Sequence, residues 1–177
     1  MASAAMYAIS TVSGNQPRIV QIAEGATQTF LFGTPVQLTG GYVVDWDGVT
    51  IPKLIGIVRT NGQNLASAGV ADPLHYGSVP YQSGALNIPI GQPLAYPKCV
   101  VETANEDSVF YGQFETGITA AITDVGVAYG MAKDSDNHWY VDHTNTATPV
   151  CRVVGISEFD PRGVFFVFIP ADVILIN

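Results

Sequence analysis

Two short phrases recur along this chain, and both belong to β structure. Gly33-Thr34-Pro35-Val36-Gln37-Leu38 is answered by Gly91-Gln92-Pro93-Leu94-Ala95-Tyr96, and Leu54-Ile55-Gly56-Ile57 by Val153-Val154-Gly155-Ile156. In the first phrase Gly permits an unusual backbone, Pro fixes φ, and apolar side chains alternate afterwards, so it reads as a turn feeding a strand. The second reads as a buried strand whose central Gly admits a bulge or the close approach of another backbone. The recurrence predicts two related halves, about 23–84 and 85–177, on a β scaffold with little room for a catalytic cleft.

The rest of the pattern agrees. Short segments rich in β-branched and aromatic residues read as strands at 18–22, 27–32, 42–45, 51–60, 85–89, 94–96, 100–103, 108–114, 139–143, 150–156, 163–169 and 173–176. Within 51–60, Leu54, Ile55, Ile57 and Val58 make an almost continuous apolar run, which predicts burial on both faces. Asp45-Trp46-Asp47-Gly48 and Asp134-Ser135-Asp136-Asn137 read as hairpin tips, and Asp160-Pro161-Arg162-Gly163 as a turn that pairs the strands on either side. Residues 118–131 read as strand with bulges, because Gly126, Gly130 and several β-branched residues oppose a helix. Residues 61–81 are irregular, and a loop of that length implies function or an excursion onto a partner. Strands this short with turns this frequent define an all-β fold, a small barrel or sandwich. The segments at 165–169 and 173–176 are aggregation-prone if exposed, so they belong in central strands or under another subunit.

A chain of 177 residues suits one domain, here 23–177, preceded by an N-terminal arm over 1–22. The arm mixes small, polar and apolar residues and is expected to become ordered against a neighbour, through Met6, Tyr7, Ile9, Val12, Ile19 and Ile22. Charged residues make up only 12% of the chain, against about 25% in ordinary soluble domains. Hydrophobic content, at 47%, is ordinary, so the deficit lies on the surface, as it does at the centre of interfaces. The net charge is −8, and the seven Lys and Arg are scattered. That arrangement argues against nucleic-acid binding and against an anionic membrane. No basic residue precedes the apolar part of the N-terminus as in a secretory signal, and no run reaches the roughly 20 apolar residues of a membrane span.

Candidate chemistry is sparse. Asp45 and Asp47 with Gly48 match part of a calcium loop, but a β-turn explains them better. Asp134, Asp136 and His138 read as a solvated hairpin tip, and His138 and His143 lie five residues apart, on opposite faces of a strand. His75 stands alone, no Gly-x-Ser-x-Gly elbow occurs, and no carboxylate pair stands out. Cys99 and Cys151 fit two buried free thiols better than a bridge, which needs Cα atoms within about 7 Å. Lys98 beside Cys99 raises the weaker alternative of a reactive thiol. Trp46, Trp139, Tyr76, Tyr81 and Tyr140 could serve a sugar platform, or equally a core or an interface. No enzyme, cofactor or metal site is expected.

Glu24-Gly25-Ala26-Thr27, Phe32-Gly33-Thr34-Pro35-Val36-Gln37-Leu38, Leu54-Ile55-Gly56-Ile57-Val58, Val153-Val154-Gly155-Ile156 and the hydrophobic last strand resemble tailed-phage head-decoration, or cement, proteins. The resemblance covers about half the chain. It implies a β-tulip-like or jelly-roll-like barrel or sandwich on the virion exterior. Such a protein binds the major capsid protein, commonly as a homotrimer, and stabilises the shell without catalytic residues. The alternative class is a carbohydrate-binding β module of a fibre or secreted protein.

Overall fold

The computed structural model describes residues 6–11, 18–25, 28–48, 54–60, 81–82, 85–86, 98–105 and 108–169. The chain is all-β, and no α-helix occurs among the described residues. In order the strands are β1 (Tyr7–Thr11), β2 (Ile19–Ala23), β3 (Pro35–Thr39), β4 (Tyr42–Asp45), β5 (Leu54–Val58), β6 (Tyr81–Gln82), β7 (Ala85–Leu86), β8 (Lys98–Thr103), β9 (Ser108–Gln113), β10 (Ala128–Lys133), β11 (Trp139–Asp142), β12 (Cys151–Ile156) and β13 (Gly163–Phe168). One sheet runs β2-β8-β5-β3-β4, the other β1-β9-β13-β12-β10-β11, and β6 pairs with β7 alone. All strand pairs are antiparallel.

Set β1 aside and the two sheets have one plan. β2, β3, β4, β5 and β8 lie in the order first, fifth, fourth, second, third, and so do β9, β10, β11, β12 and β13. Both sheets curl until their ends touch at the same place. Glu24, just after β2, bridges Val43 of β4 in parallel, and Phe114, just after β9, bridges Val141 of β11 in parallel. The first contact is tightened by Gly25, whose N–H donates to Val43 O at 2.7 Å. The Leu54-Ile55-Gly56-Ile57 phrase falls in β5 and Val153-Val154-Gly155-Ile156 in β12, the fourth strand of each unit. Both strands slip register at the residue just before the glycine, Ile55 in β5 and Val154 in β12. The first unit ends with β8 rather than near residue 84, and the chain crosses to the second sheet between β8 and β9. The second Gly-x-Pro phrase, at 91–96, lies outside the described residues.

Each unit has its own core. Phe30, Val36, Val43, Ile55, Val58, Cys99 and Val101 fill the first, with Val20, Ile22 and Leu38 at its margin. Phe110, Phe114, Tyr129, Met131, Val141, Cys151, Val153, Val164, Phe166 and Phe168 fill the second. The bulge at Gly56 joins them. It puts Ile55 and Val58 into the first core and turns Leu54 and Ile57 outward into the second, so β5 is buried on both faces as its composition predicts.

Several local expectations change. Residues 28–32 form no strand. Phe30 is used as a plug in the first core, and Gln28 Oε1 accepts the Asp45 amide at 2.8 Å. The hairpin turn of β3–β4 is Gly40-Gly41, both at positive φ as a two-residue turn requires, rather than residues 45–48. Asp45-Trp46-Asp47-Gly48 instead carries Trp46 off the sheet edge into the second core. Within 118–131 only the end is strand. Residues 122–124 make one 3-10 turn, because Asp124 reaches back to accept the Ala121 amide at 2.8 Å. The β10–β11 and β12–β13 pairings agree with their turn sequences.

Candidate interaction surface

Most polar clusters among the described residues hold backbone in place. At the β10–β11 tip Asp134 Oδ1 accepts the amides of Asp136 and His138, and Asn137 takes the left-handed conformation that Asn tolerates. Asp124 accepts from the Ala121 amide and the Tyr129 hydroxyl, each at 2.8 Å, and sits 3.2 Å from His143 Nε2. Burial alone would raise the Asp124 pKa, but these partners outweigh it and hold the carboxyl below its ordinary value. The His143 ring stacks on Tyr129 and meets the edge of Phe114, while its amide donates to Glu115. His138 and His143 thus serve separate structures. No three metal-ligating side chains gather among the described residues. Both cysteines are free and buried, one in each core. Burial pushes the Cys99 thiol up to about 12 and Cys151 upward too, so both stay protonated and inert at neutral pH.

Trp46 and Trp139 do come together. Their rings stack at 5.1 Å between centroids, and both line a pocket of about 490 Å³ together with Asp45, Asp47, Gly48, Met131 and Lys133. Sugar stacking needs an open indole face. Here the rings are only 3% and 5% exposed, they cover one another, and the Lys133 ammonium, paired with Asp45, lies over Trp139. The two tryptophans therefore seal the seam between the units. Tyr76 lies outside the described residues, as does the side chain of Tyr81.

The outward surface of the second sheet is the larger feature. β13 reads Val164-Phe165-Phe166-Val167-Phe168; the even positions enter the core, leaving Phe165 and Val167 half-buried on the outside. Tyr7 of β1, Tyr111 of β9 and Phe165 of β13 are adjacent, with ring centroids 5.2 and 5.9 Å apart along the row. Val109 and Val154 share that face, and Arg152 lies beside Val154, its guanidinium bound to Gly126 O. An outward sheet face is ordinarily polar by alternation; this one is aromatic and aliphatic.

The residues proposed for the arm are divided between roles. Met6 is fully buried in the second core, so it packs inside its own chain. Tyr7 and Ile9 are exposed on β1, the edge strand laid on β9. Ile19 is exposed and Ile22 half-buried on β2, an edge strand of the first sheet, and Val12 lies outside the described residues. The described part of 1–22 is thus laid on this chain's own sheets.

Sequence reasoning missed Phe159. It stands in the β12–β13 turn, 97% exposed. Its signal was a lone aromatic inside Ser157-Glu158-Phe159-Asp160-Pro161, a stretch otherwise made of turn residues.

Comparison with protein-family models, with curated proteins and with solved structures finds no match for this chain.

Proposed function

We propose that this chain is a structural virion protein that binds the outside of an icosahedral phage shell and stabilises it. The observation that carries the reading is the apolar outward face of the second sheet, the Tyr7–Tyr111–Phe165 row with Val109, Val154 and Val167 around it. A contiguous face of that kind on a chain with so few charges is suited to being covered. The partner is the major shell protein, and the chain acts as a homotrimer. Two small barrels sharing a sealed seam make a stiff block, which suits a clamp that must not deform under pressure from inside. The resemblance in the Gly-Pro and Val-Gly phrases points the same way. The sugar-binding alternative has no comparable support, since the paired tryptophans offer no free ring face.

Undecorated shells mixed with the purified protein provide the test. Electron microscopy should show added density at repeated sites outside the shell, and a Tyr7→Ser, Phe165→Ser double variant should decorate weakly. Shells that stay bare at saturating wild-type protein, or decoration unaffected by the double variant, would remove the reading.

A further inference from the structure

Phe159 projects from a connection that is held on all sides. Ser157 Oγ accepts the amides of Phe159 and Asp160. Asp160 accepts from the Tyr111 hydroxyl, the Gln113 side-chain amide and the Arg162 amide. Burial alone would raise its pKa, yet these donors and the Arg162 charge keep it ionised below its ordinary value. Arg162 in turn donates to Gln113, Thr116 and the Phe114 carbonyl. Backbone bonds from Ser157 to Gly163, Gly163 to Asp160 and Ala120 to Pro161 close the frame.

A mobile loop can expose a phenyl ring by default, because nothing fixes where the ring goes. A fixed loop that exposes one has no such explanation. Its ordering cost is already met in the free protein, which is the condition for an anchor residue. The frame also ties the apex to the apolar face, since Tyr111 belongs to the aromatic row and its hydroxyl bonds Asp160. The same corner of the first unit, between β5 and β8, is where the chain inserts residues 59–97.

Charge selects the occupant. Glu158, next to Phe159, is exposed and makes no bond among the described residues. The arginines nearby are not available, because Arg162 and Arg152 are bound to their own chain. The apex therefore offers one aromatic ring and one free carboxylate. On a chain of net charge −8, that apex favours a socket edged by basic side chains and is repelled by an anionic membrane.

We propose that Phe159 is the anchor of the docking surface, entering an apolar socket edged by Lys or Arg on a partner protein. This rests on the reading above, in which the partner is the shell protein. The test compares wild type, Phe159→Ser and Glu158→Gln for binding to undecorated shells across a salt series, with vesicles of phosphatidylcholine and phosphatidylglycerol as a second target. All three should melt alike, because both side chains are exposed. Phe159→Ser should bind shells about tenfold or more weakly, and Glu158→Gln should flatten the dependence on salt. Wild type and Phe159→Ser binding shells within about twofold of each other would overturn the anchor and leave the shell reading standing. Wild type that ignores shells would overturn both. Binding to vesicles in preference to shells, or an oligomer that falls apart in Phe159→Ser, would assign the apex to a different occupant and also overturn the proposal.

Discussion

A Cβ placed on Gly56 would lie 2.0 Å from Glu102 O, and the residue sits at φ +152°, outside the range that L side chains adopt readily. Backbone, which cannot swing aside, makes the contact. Gly155 holds the matching place in the second unit under easier terms. Its φ is not positive, and the nearest atom is a Phe165 ring carbon at 3.3 Å, on a side chain that can shift. Gly56→Ala should therefore cost about 3 kcal/mol and Gly155→Ala about 1 kcal/mol. Urea midpoints of the two variants would check this, and equal losses would mean that the two bulges are not made differently. Asp124 and Asp160 carry the pH dependence. Both have folded pKa values held below the ordinary 3.8 by hydrogen-bond donors, against the opposing effect of burial. A depressed carboxyl binds fewer protons folded than unfolded. Its contribution is complete above the unfolded value and is lost as the pH falls through the folded one. Acid unfolding should therefore be steeper below about pH 4 in the wild type than in Asp124→Asn or Asp160→Asn, as melting temperature against pH would show.

β1 shows how an element can be misread when its partner is remote. Tyr7–Thr11 has no turn leading to its neighbour β9, about a hundred residues away in the chain, and no strict alternation, since its register slips near Ile9. Sequence reasoning could see only a segment that needed a neighbour; the structure supplies one from the same chain. Met6 anchors it, fully buried against Gly112 and its surroundings. Met6→Ala should cost about 2–3 kcal/mol, and deleting residues 1–14 should lower the denaturation midpoint of the protein further. A truncated form as stable as the full chain would show that β1 contributes nothing to the fold. The well-read elements share the opposite property. β10–β11 and β12–β13 are joined by short turns whose Gly, Asn, Asp and Pro residues announce them. β8 and β9 are also close in sequence, yet they lie in different sheets. Ala104 donates to Ile55 O and Ser108 Oγ to Thr103 O, so the chain steps from one sheet to the other across a few residues. A short connection implies proximity, but pairing is decided by which core the flanking side chains enter. The apolar outward face was half legible: the all-apolar β13 demanded burial on both faces, and its outer side was the part still uncovered. Phe159 was hidden because a single aromatic in a turn has no periodicity to read.

At the scale of the molecule, the duplicated plan and the proposed role meet in an energetic argument. A protein that binds the assembled shell and not its separated subunits stabilises the shell by mass action, by about 2.7 kcal/mol per site at a free concentration one hundred times the dissociation constant. The linkage is reciprocal, so the shell must stabilise the bound chain as well. Two transitions should therefore move together in a calorimetric scan of decorated shells. Shell disruption should rise in temperature with added protein, and unfolding of this chain should rise above its value in isolation. Each shift should follow the logarithm of the excess partner. Phe159→Ser, which leaves the isolated chain intact, should reduce both shifts at equal concentration. The Gly56→Ala change, whose added Cβ meets Glu102 and Thr103 backbone in the first sheet, should lower the intrinsic unfolding temperature yet leave the increments of both shifts unchanged. Density on the shell with neither transition displaced would mean that the chain binds the assembled and the separated subunits equally well, and a cement role would then be lost even though attachment remained.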